Sequence, residues 1–350
     1  MNFDLTEDQH TIKRTAREFL AARYKLEEVR RLALDEERGF TDTQWAEMSE
    51  LGWPELPIPE DQGGQDLGVV ELAVVAEELG YALAPTPLQS TWAAALLLAA
   101  GGEAGRLAGG RRGTVAMWDA DGDARDPEAS TLEPDGTRLT GEKVAVPDAA
   151  AADVLVVTAA GGRHFAVDAT ADGVSVEPAR TMDDTRRLST VRLDGIEGDE
   201  LTGYELGRAW HAIAVLAAAE SVGVAERAMH MSVAYAKERH QFGRPIGANQ
   251  AVSHACAQML LEVEGARSLV YWAAWALDHE PGTAALAASS AKAYASDCGA
   301  RVTRSALQVH GGIGFTWEHD LHFFLKRAEA NAHAWGDAGW HRERVAALSL

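Results

Sequence analysis

The sequence predicts an α+β fold in three parts: a helical domain over residues 1–109, a middle antiparallel β-barrel or sandwich over 110–200, and a helical domain built as a four-helix bundle over 201–350. Three observations carry this. Apolar residues recur every three or four positions through the first hundred residues, short β-rich runs between turn residues take over from about Gly110, and long alanine-rich helical patterns return after about Leu201. Strands and helices do not alternate, so a doubly wound dinucleotide fold is disfavoured.

The first helix starts behind Thr6-x-x-Gln9, a capping-box spacing, and lines Ile12, Ala16, Phe19 and Leu20 along one face. PIPEDQGGQD (57–66) breaks the pattern, and LGVVELAVVAEELG then resumes a helix expected to stop at Gly80. In the middle, TVAMW (114–118), DVLVVT (153–158), RHFAVD (163–168), VSVE (174–177) and LSTVRLD (188–194) read as strands. Turns such as Pro134-Asp135-Gly136 and Gly161-Gly162 separate them. Helical patterns then run over 207–238, 250–279, 283–309 and 319–334.

A chain of 350 residues that is 47% hydrophobic can fill a sizeable core. Its 32 Lys and Arg stand against 53 Asp and Glu, a formal charge of −21, which repels phosphate backbones and argues against nucleic acid as the main partner. Any anionic ligand has to be met by a local basic cluster. The longest alanine–leucine run, AAALLLAAGG (93–102), is too short to span a bilayer, and MNFDLTEDQ lacks a basic, apolar leader, so no membrane association and a cytoplasmic location are expected. Cys256 and Cys298 lack CxxC spacing and read as small core residues.

RHQFGRPIGANQ (239–250) falls between two helical patterns, where Gly243 and Pro245 force a turn. Arg239 offers a planar fork for a phosphate or carboxylate, Phe242 a flat face for a ring, and Gln241, Asn249 and Gln250 hydrogen bonds to a polar ligand. From composition alone, a solvated corner whose arginines pair with surface carboxylates accounts for it slightly better than a nucleotide site. QVHGGIGFTWEHD (308–320) also joins two helical patterns, and its glycines let a ligand approach the backbone, or simply end a helix with Phe315 and Trp317 packed locally. No strand precedes it, which excludes a Rossmann turn. His310, His319 and His322 have no matching carboxylate pattern, so no metal site is expected. Glu220 lies among Leu216, Ala217, Gly223 and Val224, where burial would raise its pKa and suit it to accept a proton; an ion pair across packed helices explains it better. Asp183-Asp184 with Arg186-Arg187 reads as a charged loop in preference to a site for a CoA thioester.

In their order along the chain, these segments resemble one family, the flavin-dependent acyl-CoA dehydrogenases. DLTEDQ, PEDQGG with a helix ending EELG, YAKERHQFGRPIGANQAVSH and QVHGGIGFTWEHD stand in family order over nearly the whole chain. The resemblance implies FAD at a subunit interface, with Arg239, Gln241, Phe242, Gln250, Gln308, Gly311 and Gly312 holding the pyrophosphate and adenine half of a neighbour's FAD. It also implies a reaction. A carboxylate takes the α-proton of an acyl-CoA while the β-hydrogen leaves as hydride to the flavin, giving a trans-2-enoyl-CoA, with an electron-transfer flavoprotein as the default acceptor.

The departures are equally specific. The family's Thr-Glu-Pro-x-x-Gly-Ser-Asp and Trp-Ile stretches, which contact the flavin ring, are replaced by TVAMWDADGD (114–123) and GEKVAVPDAA (141–150). By counted spacing the usual catalytic glutamate is Trp335, and the alternative position is Ile213 or Ala214. The pattern is similar to short actinobacterial subunits of α2β2 dehydrogenases acting on bulky steroid-type CoA thioesters, in which another chain carries the base. Two other readings stay open: a self-sufficient homo-oligomer using Glu220, Asp337 or Glu318 as base, or a non-catalytic binding subunit.

Overall fold

The computed structural model describes residues 4–120, 129–203 and 206–350. Five helices come first: α1 (Glu7–Arg23), α2 (Leu26–Asp35), α3 (Asp42–Glu50), α4 (Val69–Ala82) and α5 (Leu88–Ala100). The strands follow as β1 (Gly113–Ala116), β2 (Trp118–Asp119), β3 (Arg138–Pro147), β4 (Val154–Ala159), β5 (Arg163–Asp168), β6 (Val174–Ala179), β7 (Leu188–Glu197) and β8 (Asp199–Leu201). The last part holds α6 (Leu206–Glu238), a small hairpin β9 (His240–Gln241) and β10 (Arg244–Pro245), then α7 (Gln250–His279), α8 (Pro281–His310), α9 (Leu321–His333) and α10 (Ala338–Ser349). These residues gather into two compact units, one of residues 1–30, 73–84 and 214–350, the other of 31–72 and 85–213.

In the second unit, one sheet runs β1-β4-β5-β8 and the other β2-β3-β7-β6. Ala116, Leu155, Val157 and Phe165 of the first share one apolar core with Leu139, Val146, Val191 and Leu193 of the second. The sandwich form of the expectation is the one observed; among the described residues the sheets do not close into a barrel, and β1 pairs with β4 in parallel, so the first sheet is mixed while the second is antiparallel as expected. β3 escaped the strand pattern because two register shifts, after Leu139 and after Lys143, break its alternation.

In the first unit, α1 begins with the expected box: Thr6 Oγ1 accepts from Gln9 N and Gln9 Oε1 from Thr6 N. Gly80 does not end α4, which continues to Ala82 and stops at Leu83, where φ is +54°. Gly80 is needed for a different reason. A Cβ there would stand 2.1 Å from the carbonyl oxygen of Glu220 on α6, and a Cβ on Gly223 would stand 1.9 Å from the carbonyl of Glu77 on α4. The two glycines let the backbones of α4 and α6 touch.

Three carboxylates are buried beside that crossing, each with at least one cation. Glu77 accepts from Lys13 Nζ (2.8 Å), Arg267 Nε (3.2 Å) and the Tyr271 hydroxyl (2.9 Å). Burial works against its charge, but Lys13 and Arg267 outweigh it and hold the carboxyl below its ordinary pKa. Glu78 takes a bidentate contact from Arg17, whose Nη2 donates at 2.9 Å. Glu220 is held from α9. α10 was not foreseen because its only buried residue is His341, which leaves no apolar period to read.

Gly80→Ala and Gly223→Ala should each cost at least about 2 kcal/mol in chemical denaturation, because backbone has to move to admit the methyl group. Gly207→Ala, on a helix with open space around the site, should be neutral or stabilise by up to about 1 kcal/mol.

Candidate functional site

α6 closes with Arg239 N donating to the Tyr235 carbonyl (2.8 Å), and the chain reverses in a two-residue turn between β9 and β10. Phe242 (φ +51°) and Gly243 (φ +77°) form that turn. A positive φ strains a non-glycine residue by roughly 1–3 kcal/mol. The Phe242 side chain is also 97% exposed, so one residue carries both backbone strain and a solvated aromatic ring. The arginines do not pair with carboxylates: among the described residues Arg239 makes no ion pair, and Arg244 Nη2 donates to Asn249 Oδ1 (2.6 Å). Gln241 and Gln250 are exposed. Gln241 Nε2 donates to the His240 carbonyl (2.8 Å), so the corner sets an unpaired Arg239 and an exposed Gln250 around a ring.

The glycine loop stands at the same end of the first unit. His310, the last residue of α8, stacks on Tyr235 of α6 with ring centroids 4.6 Å apart, which brings Gly311 and Gly312 near the Arg239 corner. Gly311 has φ +64°, and a Cβ on either glycine would meet nothing within 4 Å, so the backbone is open to a ligand. Gln308 is exposed. Trp317 packs edge-on to His322 (4.5 Å), whereas Phe315 is 71% exposed. The His310 Nδ1–H donates to the Ala306 carbonyl (2.7 Å), and burial holds its pKa below the usual histidine range. Among the described residues no group of three or more His, Cys, Asp or Glu is placed to hold a metal.

Glu220 is enclosed. Its Oε1 accepts from Arg327 Nη1 (2.6 Å) and its Oε2 from Asn331 Nδ2 (2.9 Å), with both side chains of the ion pair within 2% of full burial. A buried carboxylate held at both oxygens by residues of one helix is an anchor for α9. Trp335 occupies the counted base position with φ +60°, and Ile213 and Ala214 are buried apolar side chains. Asp337 caps α10, accepting from Trp340 N (2.8 Å), and Glu318 is an exposed loop residue. Sequence reasoning missed Lys292, which lies on α8 and is fully buried. Its Nζ is 3.0 Å from the carbonyls of Asn331 and Gly336 and 2.8 Å from Ser296 Oγ, and it ties down the turn that carries Trp335. Desolvation pulls its pKa down to about 7, with Asp337 opposing.

In the second unit, Lys143 of β3 is buried where the ring-contacting stretches were expected, with Nζ 2.7 Å from Asp119 Oδ1 and 2.8 Å from Ser130 Oγ. Residues 121–123 of TVAMWDADGD lie outside the described residues. The Asp183–Arg187 loop serves the fold. Arg187 donates to the carbonyls of Leu32, Ala33 and Glu36 at the end of α2, and Asp183 accepts from Thr185 N and Oγ1. Cys298 is buried and Cys256 half-buried.

Two family models match the chain: "Acyl-CoA dehydrogenase, N-terminal domain" over residues 6–106 and "Acyl-CoA dehydrogenase, C-terminal domain" over residues 210–350. Acyl-CoA dehydrogenase IpdE2 of Mycolicibacterium smegmatis is 34% identical over 338 residues, covering 95% of this chain and 96% of the relative. Among solved structures, a variant of the Tcur3481–Tcur3483 steroid ACAD superposes with a TM-score of 0.89 at 32% identity, covering 98% of both chains. The ChsE4–ChsE5 complex of Mycobacterium tuberculosis gives a TM-score of 0.89 at 28% identity, covering 99% of this chain and 98% of that one.

Removing the Glu220 carboxylate strands a buried guanidinium, so Glu220→Ala should cost about 3–5 kcal/mol in denaturant titrations. Lys292 gives a pH signature. Its folded pKa of about 7 lies below the ordinary 10.5, so the unfolded chain binds more protons between those values and stability should rise by a few kcal/mol as pH rises through that window. The slope should be absent from Lys292→Met measured in parallel.

Proposed function

The chain belongs to the acyl-CoA dehydrogenase family of FAD-dependent oxidoreductases, and from that premise we propose that it works as one subunit of a mixed α2β2 enzyme on a bulky, steroid-type acyl-CoA. In this reading it holds the phosphate and adenine half of a FAD whose ring and catalytic base sit on an unlike partner chain. An electron-transfer flavoprotein is the proposed acceptor. The setting is proposed to be cytoplasmic, and among the described residues no helix is long and apolar enough to cross a membrane.

One observation carries the reading: the phosphate-and-adenine residues stand exposed, with Arg239 unpaired, while the base positions are filled. Arg239 has no ion pair, Phe242 is held out in solvent, and Gly311 and Gly312 leave open backbone, a donor set that fits a dinucleotide's phosphates and flat base. By contrast, Trp335, Ile213 and Ala214 cannot take a proton, and Glu220 is enclosed by Arg327 and Asn331. FAD, when bound, accepts the β-hydrogen as hydride. This chain's part is positional: Arg239 would neutralise pyrophosphate charge, Gln241, Gln250 and Gln308 would fix polar edges, and Phe242 would cover a flat face. The names of two matched structures, a steroid ACAD of two differently named chains and a complex of two differently named chains, support the mixed assembly and the substrate class.

The test is a flavin count. Purified alone, the chain should show little absorbance near 450 nm and no enoyl-CoA formation; co-expressed with its partner, it should co-purify with one FAD per pair of unlike chains. Arg239→Ala in the mixed enzyme should weaken FAD retention about 10- to 100-fold, as expected for a lost charged hydrogen bond. Stoichiometric FAD with turnover of an acyl-CoA by the lone chain would overturn the proposal.

A further inference from the structure

Where α1 ends and α2 begins, the first unit holds a cavity of about 590 Å³ that is partly open to solvent, within the size range of small-molecule sites. It is separate from the Arg239 corner. Arg227, which lines it, lies twelve residues before Arg239 on α6, about 18 Å along a straight helix. Its apolar walls come from Leu20, Leu26 and Ala82, together with the buried Tyr24.

The charged side chains of the lining, Arg17, Lys25 and Arg227 against Glu27, Glu78 and Asp320, sum to zero, but they are not equally committed. Arg17 is committed to Glu78, and Asp320 is held by Arg30 at 2.6 Å. That leaves Arg227 and Lys25 against Glu27, a net of one positive charge, and none of these three makes an ion pair among the described residues. In a chain of formal charge −21, Arg17, Arg30, Arg267, Arg301 and Arg304 each pair with carboxylates, whereas Arg227, like Arg239, makes no ion pair among the described residues.

Arg227 is also held in place without being neutralised. Its Nη1 donates to the Tyr81 hydroxyl (3.3 Å), which in turn lies 3.2 Å from His230 Nδ1. The Arg17 guanidinium sits 3.7 Å from the centroid of the Tyr81 ring, and that of Arg227 sits 5.2 Å from it. The glycine crossing of α4 and α6 fixes the helices that carry Tyr81 and Arg227. A pre-set guanidinium fork, one unit of net positive charge and apolar walls specify a ligand class. A single carboxylate meets the fork in two parallel hydrogen bonds, whereas a polyphosphate would bring more charge than the lining balances.

We propose that this cavity binds a small amphipathic monocarboxylic acid, with the carboxylate on Arg227 and Lys25 and the apolar body against Leu20, Leu26 and Ala82. Isothermal titration of the full-length protein with 4-phenylbutyrate tests it, with 4-phenylbutanol as the uncharged control. Saturable 1:1 binding with Kd below about 1 mM is expected, at least about tenfold tighter than the alcohol. Arg227→Met should weaken it about tenfold or more, as expected for a lost charge-assisted contact. Ala21→Trp, at an exposed position on the cavity rim, should block binding sterically with Arg227 intact, and thermal melts of both variants should show folded protein. Absence of saturable binding to the parent protein, equal binding of the alcohol, or unchanged affinity in Ala21→Trp would each overturn the proposal.

Discussion

The first unit depends on the point where α4 and α6 touch backbone to backbone at Gly80 and Gly223. Helices that close exclude water from the carboxylates carried beside the contact, and each of those carboxylates then needs a cation from another helix. Glu77 takes its cations from α1 and α7, Glu78 from α1, and Glu220 from α9. One steric permission, the absence of two methyl groups, therefore fixes which helices gather around the crossing. A buried pair of this kind adds little net stability, because desolvation offsets the Coulombic gain, but a wrong partner leaves a bare charge indoors. The network is better understood as a specifier of arrangement than as a source of stability.

The same logic separates the arginines into two populations. Those that complete buried or half-buried pairs, such as Arg17, Arg267 and Arg327, are structural. Those left over in a chain with a large acidic excess, Arg227 and Arg239 among them, are the positions proposed above to meet an anion.

Helix periods, the Thr6–Gln9 box and the alternating strands were legible because each is a local signal repeated over many residues. β3 was not, since its bulges scramble the period that marks a strand, and α10 was not, since it buries only His341. Gly80 looked like a stop because glycine ends many helices; only the three-dimensional neighbour, the Glu220 carbonyl, shows its purpose. For the site, spacing found the Arg239 corner and the glycine loop but could not show that Tyr235 and His310 bring them to one end. Likewise Glu220 could be seen to lie on an apolar stripe, but its partner Arg327 lies 107 residues away, a separation no local pattern reaches. Lys292 was invisible for the same reason, as its acceptors are 39 and 44 residues downstream.

Lys292 combines two properties that rarely coincide on one amine. With a pKa near 7 much of it is unprotonated at neutral pH, so more of it stands as free amine than in a solvated lysine, yet it is walled off completely. Its chemical reactivity is therefore set by how often the turn at residues 334–337 opens and hardly at all by its proton affinity.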